Sequence, residues 1–177
     1  MATLISGSTG VNKIQDGTIV NADISNSAGI VGSKLVMPTG SVLQVVMGTK
    51  SGYTTTTSAT YSDTGLSASI TPATGSKVLV LISHGGLDKR GNANGYVGIK
   101  LFRSSTEILL FSGQFGYTAG TLIQSGGLSY TFLDASAGGN GSTAITYKTQ
   151  FNSAGGITAG FGAGGEISTI TLMEIAG

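Results

Sequence analysis

The sequence predicts an all-β fold: an antiparallel β-sandwich of jelly-roll type, preceded by an extended non-globular stalk and assembled as a trimer. Three observations carry that expectation. From residue 41 onward, short β-branched and aromatic runs alternate apolar with polar side chains, as half-buried strands require. Turn signals rich in Gly and Asn, within a total of 30 glycines in 177 residues, separate those runs, and no window carries a helical period. Before Pro38 the large aliphatic residues fall at Ile14, Ile19, Ile24, Ile30 and Leu35, at steps of five, five, six and five that fit neither helix nor strand.

The stalk is residues 1–37. Burying an aliphatic side chain contributes about 1.5–3 kcal/mol, whereas ordering each residue costs about 1–2 kcal/mol in backbone entropy. With one aliphatic in about five residues, a single chain is expected to leave this segment without structure. Three parallel chains change that balance, because each aliphatic position becomes a layer around a common axis. Asp, Asn, Ser and Gly between the layers then make the bends and bond neighbouring chains. On this reading Ile14, Ile19, Ile24, Ile30 and Leu35 are the trimer-axis contacts. A flexible linker with accidental spacing is the alternative. Pro38 marks the boundary, since it biases the residue before it towards an extended conformation.

The head is residues 38–177, with eight to ten strands expected between 41 and 176. "SVLQVVMG" is a β-branched apolar run, and the Thr- and Tyr-rich "GYTTTTSATYSDTG" suits a half-exposed pleated surface. In "LSASITPATGSKVLVLIS", Leu66, Ala68 and Ile70 alternate with Ser and Thr, "PATG" turns, and "KVLVLIS" reads as a buried strand. "YVGIKLFR", "SST" and "EILLFSG" form a hairpin in which Arg103 and Glu107 are expected to pair across the turn. "TLIQSGGLSYTFLDA" is a strand pair or a bulged strand. "TAITYKTQFN" puts Ile145, Tyr147, Thr149 and Phe151 on one face. "SAGGITAGFGAGG" is a glycine-rich loop or weak hairpin. "EISTITLMEIA" sets Ser168, Ile170, Leu172 and Glu174 opposite Ile167, Thr169, Thr171 and Met173.

Charged residues are only 10% of the chain, the net charge is +1, and only Lys89 and Arg90 are adjacent cations. Nucleic-acid binding needs clustered cations, so no nucleic-acid partner is expected. No apolar run reaches about 18 residues, so no membrane insertion is expected. "MATLISGSTG" lacks the basic and apolar regions of a secretory signal. Cys is absent, which removes disulfides and thiolate metal sites.

"GFGAGG" matches G-x-G-x-x-G, but a strand-like segment follows it where the dinucleotide fingerprint needs a helix. A glycine loop is the reading, and no cofactor is expected. His84, the single histidine, cannot form a zinc site alone and is read as a structural or trimer-contact residue. Asp63, Asp88 and Asp134 stand singly in loop-like contexts, and Asp16 and Asp23 are read as turn caps or, less favourably, a ring about a cation. No carboxylate pair is nominated for glycosidase work, so a non-enzymatic protein is expected. Asn140 in "NGS" is read as an Asn-Gly turn. Phe115, Tyr117 and Phe161, aromatics in Gly-rich surroundings, are the candidate contacts for an external partner.

"IQDGTIVNADISNSAGIVGSKL" resembles the "DGTI…ADI…A.I..SKL" segments of fibre and structural proteins of tailed bacteriophages. "TYSDTGLSASITPATGSKVLVLIS" is similar to the start of their C-terminal β-sandwich heads, and "TITLMEIAG" to their chain end. The resemblance covers about a third of the chain. It implies a homotrimeric virion protein with an intertwined stalk and a trimeric head. A tail fibre usually carries a long shaft or an attachment domain before such a repeat, and here about a dozen residues precede it. The expected function is therefore a capsid decoration, cement or spike protein, attached to a capsid or tail protein through its N-terminal segment. The alternative is a receptor-binding tail-fibre tip that recognises a host surface glycan.

Overall fold

The computed structural model describes residues 35–92 and 94–177, together with 22, 24, 25 and 27–30. The chain divides into two units, Met1–Val36 and Met37–Gly177. In the first, Ile14 and Ile19 lie outside the described residues, whereas Ile24, Ile30 and Leu35 are exposed.

Among its described residues the second unit holds ten strands: β1 (Val42–Lys50), β2 (Thr54–Thr56), β3 (Ser62–Ile70), β4 (Lys77–Arg90), β5 (Tyr96–Arg103), β6 (Thr106–Phe115), β7 (Gln124–Asp134), β8 (Ile145–Ala154), β9 (Thr158–Phe161) and β10 (Ser168–Ile175). All pairings are antiparallel. One sheet runs β1-β10-β4-β7, with β9 and β2 added beside the far end of β4; the other runs β3-β8-β5-β6. Setting aside the short β2 and β9, eight strands in these two orders form a jelly roll, with successive strands largely crossing from sheet to sheet. The antiparallel β-sandwich expected for the head is the fold observed.

The core lies between the sheets and follows the alternation of each strand. Val78, Val80, Ile82 and His84 of β4 point inward with Ile170 and Leu172 of β10, against Leu66, Ile70, Ile99, Leu101, Tyr147 and Phe151 of the facing sheet. β4 is longer than its apolar run because a bulge at Gly85–Gly86 shifts its register with β7 between His84 and Leu87. Leu87 then continues the core. Gly86 has φ 58, and a Cβ there would strike the backbone of Ala163 in the 3-10 turn Ala163–Gly165, so the bulge needs glycine. "TLIQSGGLSYTFLDA" supplies a single strand, β7, and its partner is the distant β4.

Arg103 and Glu107 do not pair. Arg103 faces Thr106 and Glu107 faces Phe102, so the two side chains leave the hairpin on opposite faces. Glu107 meets Lys100 at 2.6 Å on the outer face, whereas Arg103 turns inward to Asp134 at 2.8 Å. Exposed pairs of the first kind contribute little to stability. Glu107→Gln should therefore leave the urea midpoint of unfolding unchanged within scatter.

Asp63, Asp88 and Asp134 belong to strands, not loops. Asp63 is exposed and bonded to Lys148 and Gln150, while Asp88 and Asp134 are buried. Glu174 and Asp134 flank Val78 on its two neighbouring strands, placing two buried carboxylates at one end of the sandwich. Burial works to raise the Glu174 pKa, but hydrogen bonds from Gln44, Ser76 and the Ala73 N–H outweigh it and hold the group below its ordinary value.

Candidate functional site

The outward-facing positions of β1, β10, β4 and β7 line up by register into rows. One row is Val45, Met173, Leu79 and Leu133; the next is Met47, Thr171, Leu81 and Thr131; the third is Thr49, Thr169, Ser83 and Ser129. Val45 is 56% exposed, Met47 62% and Leu133 48%. Directly opposed side chains on antiparallel strands lie roughly 4.5–5.5 Å apart, so each row is a continuous stripe. The face is apolar at one end and hydroxylic at the other. Its hydroxylic part holds a shallow depression of about 250 Å³ lined by Leu81, Ser83, Ser129, Thr131, Thr169 and Thr171. None of the twelve side chains in the three rows is charged; Lys77, opposite Ile175, stands at the rim.

The outer face of the other sheet has different chemistry. It carries the ion pairs Lys148–Asp63 at 2.9 Å and Lys100–Glu107 at 2.6 Å, and Lys100 also lies 4.3 Å from the Tyr61 ring centroid.

A second feature sits where the far half of β4 meets β7 and the 3-10 turn. A cleft of about 390 Å³ is lined by Gly86, Arg90, Ser125, Gly126, Ala163, Gly164 and Glu166. Arg90 is held by Asp88 at 2.6 Å and lies 5.3 Å over the Tyr53 ring, whose hydroxyl also bonds Asp88. The Asp88 hydrogen bond, with its charge, keeps the guanidinium pKa above its ordinary value. Burial and then Asp88 raise the Tyr53 hydroxyl likewise. The cleft thus offers an oriented donor, a hydroxyl and a carboxylate between glycine walls, a set that suits a polyhydroxylated or backbone-like ligand.

The three candidate aromatics are not brought together. Tyr117 is exposed and its hydroxyl donates to Asn94 Oδ1 at 3.2 Å. Phe115 is half-buried against the core beside Gly126. Phe161 is fully buried, its ring 4.8 Å from His84 and 6.2 Å from Phe151, so it is a core residue with no surface to offer a partner. "GFGAGG" runs from the end of β9 through the 3-10 turn and leads into β10. His84 is buried, stacked on Phe111 at 5.6 Å, and neither ring nitrogen has a hydrogen-bond partner among the described residues; burial pushes its pKa down to about 3. Among the described residues there is no cluster of His, Cys, Asp or Glu able to hold a metal, and no helix long and apolar enough to cross a membrane. The uncharged sheet face and the Arg90 cleft were not legible in the sequence, because both depend on which distant strands pair.

A jelly roll with one uncharged sheet face and one polar cleft is a fold compatible with many functions. No protein-family model matches the chain, and no curated protein matches it in sequence. Among solved structures, a chain in the structure of infectious bursal disease virus, Gx strain, aligns over 84% of this chain and 46% of its own, at 14% identity and a TM-score of 0.35. This chain spans less than half the length of that neighbour, and so loose an overlap carries no argument about function.

Proposed function

We propose that the chain is a non-enzymatic structural protein of a tailed-bacteriophage particle, a homotrimeric capsid decoration, cement or spike protein held by its N-terminal segment. The observation that carries this reading is the five-step aliphatic spacing, whose described members Ile24, Ile30 and Leu35 are exposed in the single chain. Exposed aliphatics on a segment too sparse for its own core call for other copies to cover them. The phage-like phrases of the sequence supply the particle, and the jelly roll is an architecture found in viral capsid and lectin domains. The head would project from or clamp the shell. Attachment would work by avidity, three weak arms on one trimer binding far more tightly than one.

The test is mass and particle binding of the full chain. The expected mass is about three times 17.6 kDa, and a clean monomer at micromolar concentration would overturn the reading. Ile19→Asp with Ile24→Asp should lower that mass and release the protein from particles; unchanged attachment would sink the layered axis.

A second reading, a tail-fibre tip that binds a host surface glycan, draws support from the cleft beside Arg90, with its oriented guanidinium, Ser125 and Glu166. Binding of a host glycan that Arg90→Ala abolishes would favour it.

A further inference from the structure

We infer that the uncharged outer face of β1, β10, β4 and β7 is where the head of one chain meets a second copy of this chain. The inference rests on the self-assembly proposed above and deepens it by naming the surface. Its first support is the contrast between the two outer faces of one sandwich. The face with Lys148–Asp63 and Lys100–Glu107 is built for water, whereas the rows through Val45 and Met47 carry no charge. Depletion of charge with enrichment of Met at an apolar centre is the compositional mark of a protein interface.

The second support is self-compatibility. Two copies of an uncharged face meet without like-charge repulsion. A strongly acidic or basic partner, such as nucleic acid or an anionic membrane, would find nothing there to neutralise it. The third is size. Four strands about 4.8 Å apart, with three outward residues about 6.8 Å apart along each, span about 400 Å². That area supplies the centre of an interface of about 800 Å² per partner, with the residues around the rows as its rim. The Val45–Met173–Leu79–Leu133 stripe would be the dry part, and the hydroxyls around the depression the hydrated part. Around a three-fold axis, three such faces form the walls of a triangular prism.

The chain has no cysteine, so one introduced thiol reports its own surroundings. Met47→Cys and, separately, Thr131→Cys place it on the face, and Ser67→Cys places it on the outer side of β3 in the other sheet; all three positions are exposed in the single chain. In the full-length protein, maleimide should react with the first two at least about tenfold more slowly than with Ser67→Cys, as burial in an interface requires. A short bismaleimide should link two chains through Met47→Cys or Thr131→Cys and not through Ser67→Cys. Equal labelling in a protein whose mass is still that of several chains would overturn the inference and leave the assembly intact. Equal labelling in a protein with the mass of one chain would overturn both.

Discussion

Replacing Asp134 by alanine is expected to destabilise the head by about 3–5 kcal/mol, the cost of taking the carboxylate from the partly buried Arg103 cation and the acceptor from the buried Tyr147 hydroxyl. Asp134 is 4% exposed and accepts hydrogen bonds from Arg103 Nη1 at 2.8 and 3.0 Å, the Tyr147 hydroxyl at 2.8 Å and the Ser136 N–H at 3.0 Å. Arg103 also donates to the Ser136 carbonyl, so it keeps one partner in the variant. Tyr147 keeps none among the described residues: its ring is fully buried, and burial followed by the Asp134 carboxylate raises its pKa far above the ordinary value. Tyr147→Phe should therefore cost only about 1 kcal/mol, because donor and desolvation leave together. Asp134→Leu combined with Arg103→Met should recover most of the loss, since a well-packed apolar pair replaces buried ions at little cost. Urea titration of the four proteins decides it. A loss under about 1 kcal/mol for Asp134→Ala would mean the ion pair is not what closes this end of the sandwich.

That network shows what local reasoning reads and what it misses. That Ile170 shares a face with Leu172, and Tyr147 with Phe151, was legible because alternation along β10 and β8 depends only on neighbours in sequence; the structure makes both faces the inward ones. The partner of Arg103 was not. Glu107, four residues away, was the nearest carboxylate in sequence, but a two-residue turn puts it on the other side of the sheet from Arg103. Asp134, 31 residues on, comes to Arg103 only because β7 and β5 lie in facing sheets.

The same reasoning explains the candidate surfaces. "SVLQVVMG" was read as apolar, and it is, but its exposed face gains meaning only from β10, β4 and β7 beside it. Phe161 looked available because glycines surround it. Those glycines instead let the chain pack closely: a Cβ on Gly160 would collide with the Asp88 carboxylate, so the backbone passes directly over that buried group. Glycine content in this chain therefore marks close approach in places where it suggested exposure.

His84 should make the protein lose stability on mild acidification. Unfolded, its imidazole takes up a proton near pH 6.5; folded, among Phe111 and Phe161 and with no hydrogen-bond partner among the described residues, only near 3. Between those values the unfolded chain binds the extra proton, so stability falls as pH falls. At about 1.4 kcal/mol per pH unit, the loss is about 2 kcal/mol by pH 5 and on the order of 4–5 kcal/mol by pH 3. Glu174 and Asp63, held below their ordinary values, add their own losses only once pH drops below about 4.5 and 3.8. The loss expected from His84 thus begins well above the pH at which those two carboxylates contribute. His84→Leu, close in volume and free of buried nitrogens, should match or exceed the parent at pH 7 and flatten the slope between pH 6.5 and 4.5. Urea midpoints at pH 7, 6 and 5 for both proteins measure it. An unchanged slope in the variant would show that the imidazole is already protonated, or already solvated, in the folded head.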